Sequence, residues 1–407
     1  MKKDMSYLEK MPIAVLGGGA VGKTVAADCK LAGREVRLYS RSPSSIEGLE
    51  RTGILLDGIQ RNLYCFERSG RAFLDMVSTD MAEAVKGAGL IVIAIPAHAH
   101  EYYLQTLVPL LEDGQVVHIF TDNYASLLLR KYMKEMGCCK DVVIGGWASA
   151  PYGTRIETVG GFRLPHVGVK YRAITLRGAS QPMSDMEAFM ESTKYLPCMD
   201  TVTQGIGPVE GDTILDIGFS NINPVIHVPA SVLGVSAMEN WSCIYGNEPG
   251  TYSLYSHGLC PTVCRIQYQF YEEERAIARV IGIQVPEYSY ESFFSRRSIL
   301  TQEYMGTDEE GKDNVVFPLN QPCDEGNVGP DSIDHRYITE DIPVGCKIYH
   351  DLGVKFGVPT PIIDSMIVLG GAMHETNYFE KSKYNLDYLG IGEMGKEELL
   401  EYLYNGK

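Results

Sequence analysis

The sequence predicts an α/β fold. A doubly wound parallel sheet is expected in residues 1–200, followed by an all-helical C-terminal domain in residues 201–407. Three observations carry this expectation. Short apolar runs of strand length alternate with helical runs through the first half, as a parallel sheet with crossover helices requires. A run of three glycines separates the first such strand from the first helix. Around Pro197 to Pro208 the short buried strands stop, and apolar residues take up a three-to-four spacing.

The elements follow in order. Ile13-Ala14-Val15-Leu16 reads as a buried strand. Gly17-Gly18-Gly19-Ala20-Val21-Gly22 is next, then a helix carrying Val25, Ala26, Cys29, Leu31 and Ala32 and ending at Gly33. Glu35 to Tyr39 is a second strand. A strand, a glycine turn, a helix and a strand make the βαβ unit of a Rossmann-type dinucleotide site. Gly17 allows the tight turn, Gly19 lets the backbone approach a pyrophosphate, and Gly22 lets helix and strand pack closely. The helix N-terminus at Gly18 to Val21 presents N–H groups and a positive dipole end to the phosphates. The second strand runs into Ser40 and Arg41, where an NAD site often has a carboxylate for the ribose. A cation there suits a 2′-phosphate, so NADP(H) is favoured, with NAD(H) also compatible.

Leu90 to Ile95 is a buried strand closed by Pro96; Val116 to Phe120 and Val142 to Gly145 are two more. Tyr102 to Leu111 and Tyr124 to Met136 are the helices between them. The turns after Ile95, at Pro96, and after Phe120 are expected to line the cofactor site, because ligands of such sheets lie beyond the carboxyl ends of the strands. His98 and His100 read as exposed loop residues, Tyr124 and Trp147 as packing residues. Phe162 to Leu176 has β character and Met186 to Tyr195 helical character. In the second half the helical stretches are Leu259 to Val280, Ile342 to Phe356, Pro361 to Met373 and Lys396 to Tyr404. Thr301 to His335 is polar and turn-rich, a long loop of the kind that covers functional sites.

Composition excludes several classes. The formal charge is −16, from 36 basic and 52 acidic residues, which argues against nucleic acid or an anionic membrane as partner. No apolar run has the length of a membrane span, and MKKDMSYLEKMP leads into no secretory-length apolar stretch. The ten cysteines contain no Cys-x-x-Cys pair and read as reduced thiols of a cytoplasmic protein. His257, Cys260 and Cys264 lack a fourth zinc ligand, so no metal is expected.

For chemistry, His227 in SNINPVIHVPASVL is the natural proton-transfer candidate, since imidazole titrates near ~6.5. Read from the residues alone, such a residue is more often a satisfied core histidine. Asp341 alone reads as a helix N-cap before Ile342 and Pro343, and Arg336 alone as a surface ion pair.

The segments SNINPVIHVPASVL and HRYITEDIPVGCKIY resemble signature segments of the opine dehydrogenases, which join an amino acid to a 2-oxo acid. The resemblance extends over nearly the whole chain. It includes SAPYGTRI from Ser149, GVPTPIIDSMI from Gly357 and the closing LGIGEMGKEELLEYL. It implies that His227 is the acid/base group, that Asp341 holds it, and that Arg336 grips the oxo acid carboxylate. Arginine's planar fork suits such a carboxylate. Asp331 and Asp334 remain open as alternative partners of His227, and Asn221 and Asn223 as substrate contacts or helix caps. The implied partners are small molecules, an amino acid and a 2-oxo acid with pyruvate as the family default; a homodimer is compatible. Two other readings compete. One is a ketone reductase of the ketopantoate reductase or glycerol-phosphate dehydrogenase plan, which would use a lysine for which no comparable motif stands here. The other is a dinucleotide sensor without turnover.

Overall fold

The computed structural model describes residues 4–58, 68–173, 175–205, 207–293 and 328–406. Most of the expected loop Thr301 to His335 therefore lies outside the described residues. The chain divides into two compact units between Ile217 and Gly218, with Glu397–Lys407 grouping with the first.

The first unit is built on an eight-stranded sheet. Its strands are β1 (Ile13–Leu16), β2 (Val36–Tyr39), β5 (Met76–Ser78), β6 (Leu90–Ile93), β7 (Val116–Phe120), β8 (Val143–Trp147), β11 (Thr175–Ser180) and β12 (Gly207–Glu210). They are ordered β5-β2-β1-β6-β7-β8-β11-β12, parallel throughout except where β11 meets β8. Strands β1, β6, β7 and β8 are buried along their whole length, as strands covered on both faces must be. That is why they read as continuous apolar runs. Helix α1 (Ala20–Leu31) follows β1, α2 (His100–Leu107) follows β6, and α3 (Ala125–Glu135) follows β7.

The division falls later than the expected residue 200 because β12 pairs in parallel with β11 and keeps the chain in the first sheet past that point. The closing helix Lys396–Asn405 is anchored in this unit: the Gln181 amide donates to the Tyr402 carbonyl at 3.1 Å, and Tyr404 donates to Asp212 at 2.7 Å.

A second, four-stranded sheet is absent from the sequence expectations. It runs β4-β3-β10-β9, from β3 (Ile54–Gly58), β4 (Gly70–Ala72), β9 (Tyr152–Val159) and β10 (Phe162–Arg172). β3 pairs in parallel with β10, although about a hundred residues separate them. The sheet packs on α1, where Thr24 and Thr154 share a buried hydrogen bond of 2.8 Å. Beside it, Asp28 of α1 takes Arg68 at 2.6 Å and Arg172 at 2.8 Å and accepts from Tyr152 at 2.9 Å. A buried carboxylate needs such partners to stay charged.

The second unit is helical. It contains α4 (Ile222–Leu233), α5 (Pro261–Ile281), α6 (Lys347–Phe356) and α7 (Pro361–Met373). Helix α5 is amphipathic, burying Val263, Phe270, Ile277 and Ile281, and ends at Gly282 in the left-handed conformation. Helix α6 ends at Gly357 in the same way. Two π-helical turns, Leu254–Gly258 and Ile342–Cys346, interrupt this regular packing, and such turns concentrate at functional sites.

Candidate active site

In the first unit the glycine turn has the geometry its sequence implies. Gly17 has φ +136°, and a side chain there would overlap the Ala94 carbonyl at the end of β6. A Cβ on Gly22 would overlap the Gly17 carbonyl oxygen, so the helix can sit against the turn only with glycine at that position. Gly19 meets nothing within 4 Å: space stands open where a pyrophosphate would approach. Gly19 is the N-cap of α1 and supplies no side-chain cap, which leaves the first-turn N–H groups of Ala20 and Val21 free of side-chain capping.

Ser40 is buried at the end of β2, its hydroxyl 2.7 Å from that of Ser45. Arg41 is exposed and lies over the Tyr102 ring at 5.0 Å, while its backbone N–H donates to the Tyr103 hydroxyl. No carboxylate pairs with Arg41 among the described residues. Pro96 is exposed beyond β6. The open space at Gly19 and the N–H groups of the first turn fit the pyrophosphate of a dinucleotide.

Three neighbouring readings need comment. His98 is exposed as expected, but His100 is not: it is fully buried at the start of α2, and burial pushes its pKa down to about 3. The loop-like sequence around it carries no sign of that burial. Tyr124 and Trp147 are buried packing residues, the Trp147 indole donating to His118 at 3.2 Å. Asp122, beyond β7, went unmarked in the sequence. It is buried and accepts from the Ser126 N–H and hydroxyl, both at 3.1 Å; burial pushes its carboxyl up to about 7.

In the second unit, His227 sits in α4 with 4% of its surface exposed. Asn221 caps this helix, accepting from the Asn223 N–H at 3.2 Å, so the capping alternative holds for Asn221. The Asn223 side chain is half-buried at the same end. Pro229 removes one helical N–H two residues beyond His227, and Gln267 of α5 donates to the Ile226 carbonyl at 2.9 Å.

His227 Nδ1 lies 2.8 Å from Asp341 Oδ2, and Nε2 lies 2.8 Å from the Tyr255 hydroxyl. The Tyr337 ring stacks on the imidazole, centroids 3.6 Å apart and planes at 20°. The carboxylate is therefore Asp341's. Asp331 is exposed, and Asp334 lies 3.8 Å from His374 instead. Asp341 makes no capping bond. Its backbone is already helical, running from the turn Arg336–Thr339 into the π turn, and Pro343 has no N–H to satisfy. The side chain is thus left for His227. An ionised carboxylate only accepts, so Nδ1 carries a proton and Nε2 of the neutral ring accepts from Tyr255.

Arg336 is exposed, and its guanidinium makes no hydrogen bond among the described residues. Atoms packed around the guanidinium displace part of its water and oppose its charge, yet the carboxylates of Glu340 and Asp341 hold its pKa above the ordinary value. An oriented imidazole and an open cationic fork therefore come together within one unit. Sequence reasoning missed Tyr255 and Tyr337. Tyr255 is one of 25 tyrosines, 28 residues from His227, and no spacing marks it. Among the described residues no cluster of His, Cys, Asp or Glu is placed to hold a metal, and no helix is long and apolar enough to cross a membrane.

A dinucleotide turn on a doubly wound sheet and a carboxylate-oriented histidine on a helical unit define an NAD(P)-dependent oxidoreductase. Residues 210–374 match the alpha-helical domain of NAD/NADP octopine/nopaline dehydrogenase, and residues 12–122 match the N-terminus of NAD-dependent glycerol-3-phosphate dehydrogenase. The opine dehydrogenase of Arthrobacter sp. (strain 1C) is 25% identical over 391 residues, covering 94% of this chain and 96% of that one. The opine dehydrogenase of Haliotis discus hannai is 25% identical over 311 residues, 72% and 71% of the two chains. The structure of octopine dehydrogenase with NADH and L-arginine superposes with a TM-score of 0.66 at 17% identity, covering 98% of each chain, a likeness of fold. The helical half belongs to the octopine/nopaline dehydrogenase family, the chain is similar over nearly its whole length to an opine dehydrogenase, and the protein is an NAD(P)-dependent oxidoreductase acting on CH–NH bonds. The match to glycerol-3-phosphate dehydrogenase lies in the nucleotide-binding half and the helical half matches the opine enzymes, while a ketopantoate reductase from Ralstonia eutropha shares the overall fold, with a TM-score of 0.54 over 92% of this chain at 16% identity.

Proposed function

We propose that this opine dehydrogenase joins the amine of an amino acid to the carbonyl carbon of a 2-oxo acid, pyruvate in the first instance, and reduces the resulting imine; run backwards, it oxidises the opine. The observation that carries the proposal is the placement of His227 between Asp341 and a hydroxyl, beside a guanidinium with no bonded acceptor among the described residues.

Arg336 binds the oxo acid carboxylate through its planar fork. His227 takes the proton the amine must lose before it can attack, and returns it to the carbonyl oxygen so that water can leave. Asp341 fixes the ring with Nδ1 protonated and stabilises the imidazolium that forms. Asn223, half-buried at this helix end, offers its amide to a polar group of the substrate. Gly17 to Gly22, Ser40, Arg41 and Pro96 hold the dinucleotide, and the exposed Arg41 favours NADP(H) over NAD(H). When bound, the reduced nicotinamide supplies the hydride. The reading carries with it a cytoplasmic enzyme of free amino and oxo acids, with a homodimer as the assembly to look for.

The test is a panel assay that follows oxidation of NADPH and of NADH with pyruvate and each amino acid in turn. Oxidation that requires an amine, and is faster with NADPH, is the expected result. Oxidation by the oxo acid alone, at the same rate with and without amine, makes the enzyme a ketone reductase.

A further inference from the structure

The nitrogen that must exchange protons with substrate, His227 Nε2, already has a partner: the Tyr255 hydroxyl at 2.8 Å. A substrate reaches that nitrogen only by displacing the phenol or by working through it. Displacement by movement of the imidazole is opposed on two sides, by the carboxylate on Nδ1 and by the Tyr337 ring stacked on its face. Movement of the phenol is opposed by the backbone that carries it. Tyr255 lies in the π turn Leu254–Gly258, and the start of that turn is tied to Gly329 through an isolated β-bridge: Leu254 N–H donates to the Gly329 carbonyl at 2.9 Å, and Gly329 N–H donates to the Tyr252 carbonyl at 2.6 Å. Ser253 N–H is held in turn by His257 Nδ1 at 2.9 Å.

Tyr255 is also among the groups that act electrostatically on Arg336. Tyr255 is thus a neighbour both of the base and of the guanidinium fork. In a 2-oxo acid the reacting carbonyl carbon is bonded directly to the carboxylate carbon. A carbonyl held next to that carboxylate meets the Nε2 side of the imidazole only past the phenol bonded to it.

We infer that Tyr255 is the hydroxyl that meets the reacting atoms, relaying each proton between substrate and His227. The inference rests on the opine reading above. The substrate ammonium gives a proton to the phenol oxygen as the phenol passes its own proton to Nε2, which leaves a free amine and an imidazolium. The amine lone pair then attacks the carbonyl carbon, and the π electron pair moves to oxygen. That oxygen takes the phenol proton, and the phenol takes the Nε2 proton. The same line removes the second nitrogen proton and delivers it to the hydroxyl that leaves as water, forming the protonated imine. Tyr255 ends each step as a neutral phenol, because it gains one proton for each that it passes on.

Tyr255→Phe keeps the ring and removes only the relay. Its turnover is compared with that of wild type and His227→Ala, each checked by its melting temperature, and wild type and Tyr255→Phe are assayed in mixtures of H2O and D2O. The expected result is a loss of kcat of about a hundredfold in Tyr255→Phe, the lower end for a lost acid/base group, with the oxo acid KM within about threefold, as a group acting on the chemical step leaves it. Wild-type rates should fall along a curved line with deuterium fraction, two protons moving together, and Tyr255→Phe rates along a straight one. Tyr255→Phe with near wild-type kcat, while His227→Ala is inactive, overturns the relay and leaves the base assignment standing. A slow Tyr255→Phe that keeps the curved dependence overturns it too, because the hydroxyl would then only be holding the ring. A wild type without turnover on any amine and oxo acid pair overturns the relay and the opine reading together.

Discussion

The nucleotide-binding unit and the helical unit assemble their functional groups in opposite ways. In the first, the groups that matter lie within one strand–turn–helix and the end of the next strand, Gly17 to Arg41, and most of them are backbone. In the second, they are side chains brought together from three places: His227 from α4, Tyr255 from one π turn, and Asp341 from the start of another, 114 residues from its partner. In the proposed function the first arrangement binds, through backbone that the glycines leave accessible, and the second moves protons, through particular atoms at hydrogen-bond distance. Each unit should therefore fail in its own way when altered.

The largest effect is expected in the helical unit. His227→Ala should lower kcat by about a thousandfold, within the range for losing an acid/base group, while NADPH affinity measured by quenching of cofactor fluorescence stays within about twofold. Loss of cofactor affinity in step with kcat would erase the contrast between the units. Arg336→Ala comes next. Removing one charge-assisted, two-pronged contact should raise the oxo acid KM about ten- to a hundredfold, with the amino acid KM changed far less; steady-state assays varying each substrate separate the two. The smallest effect is expected in the first unit. Arg41→Ala should weaken NADPH binding about tenfold and leave NADH nearly unchanged, the signature of a lost contact to a 2′-phosphate. Equal weakening of both cofactors would assign Arg41 to the adenine face instead, through its stacking on Tyr102.

The same contrast governs how much could be read from the sequence. The first sheet was legible because β1, β6, β7 and β8 are buried on both faces and so spell unbroken apolar runs. The glycine turn was legible because each glycine answers a local steric demand. The second sheet was not. β9 is half-exposed, with Arg155, Glu157 and Thr158 along it, and β3 finds its partner β10 only across a long stretch of chain. Nor was the burial of His100, which depends on which way a helix start faces. In the helical unit, composition and position marked His227 as a candidate, but Asp341 and Arg336 came from family resemblance and read locally as a cap and a surface charge. The structure gives Asp341 to His227 rather than to a cap because the helical backbone already runs through it. Tyr255 and Tyr337 carried no signal, since aromatic residues at helical spacing are ordinary core.

The account stands on His227 being presented with its proton on Nδ1, against Asp341, and its lone pair on Nε2. Nitrogen-15 resonances of the histidine ring report this directly, with the His227 pair identified by its disappearance in His227→Gln. Above the titration of the ring, the account predicts that Nδ1 resonates as a protonated nitrogen and Nε2 as an unprotonated one, and that Asp341→Asn abolishes this preference. A ring protonated on Nε2 in the wild-type protein would contradict it.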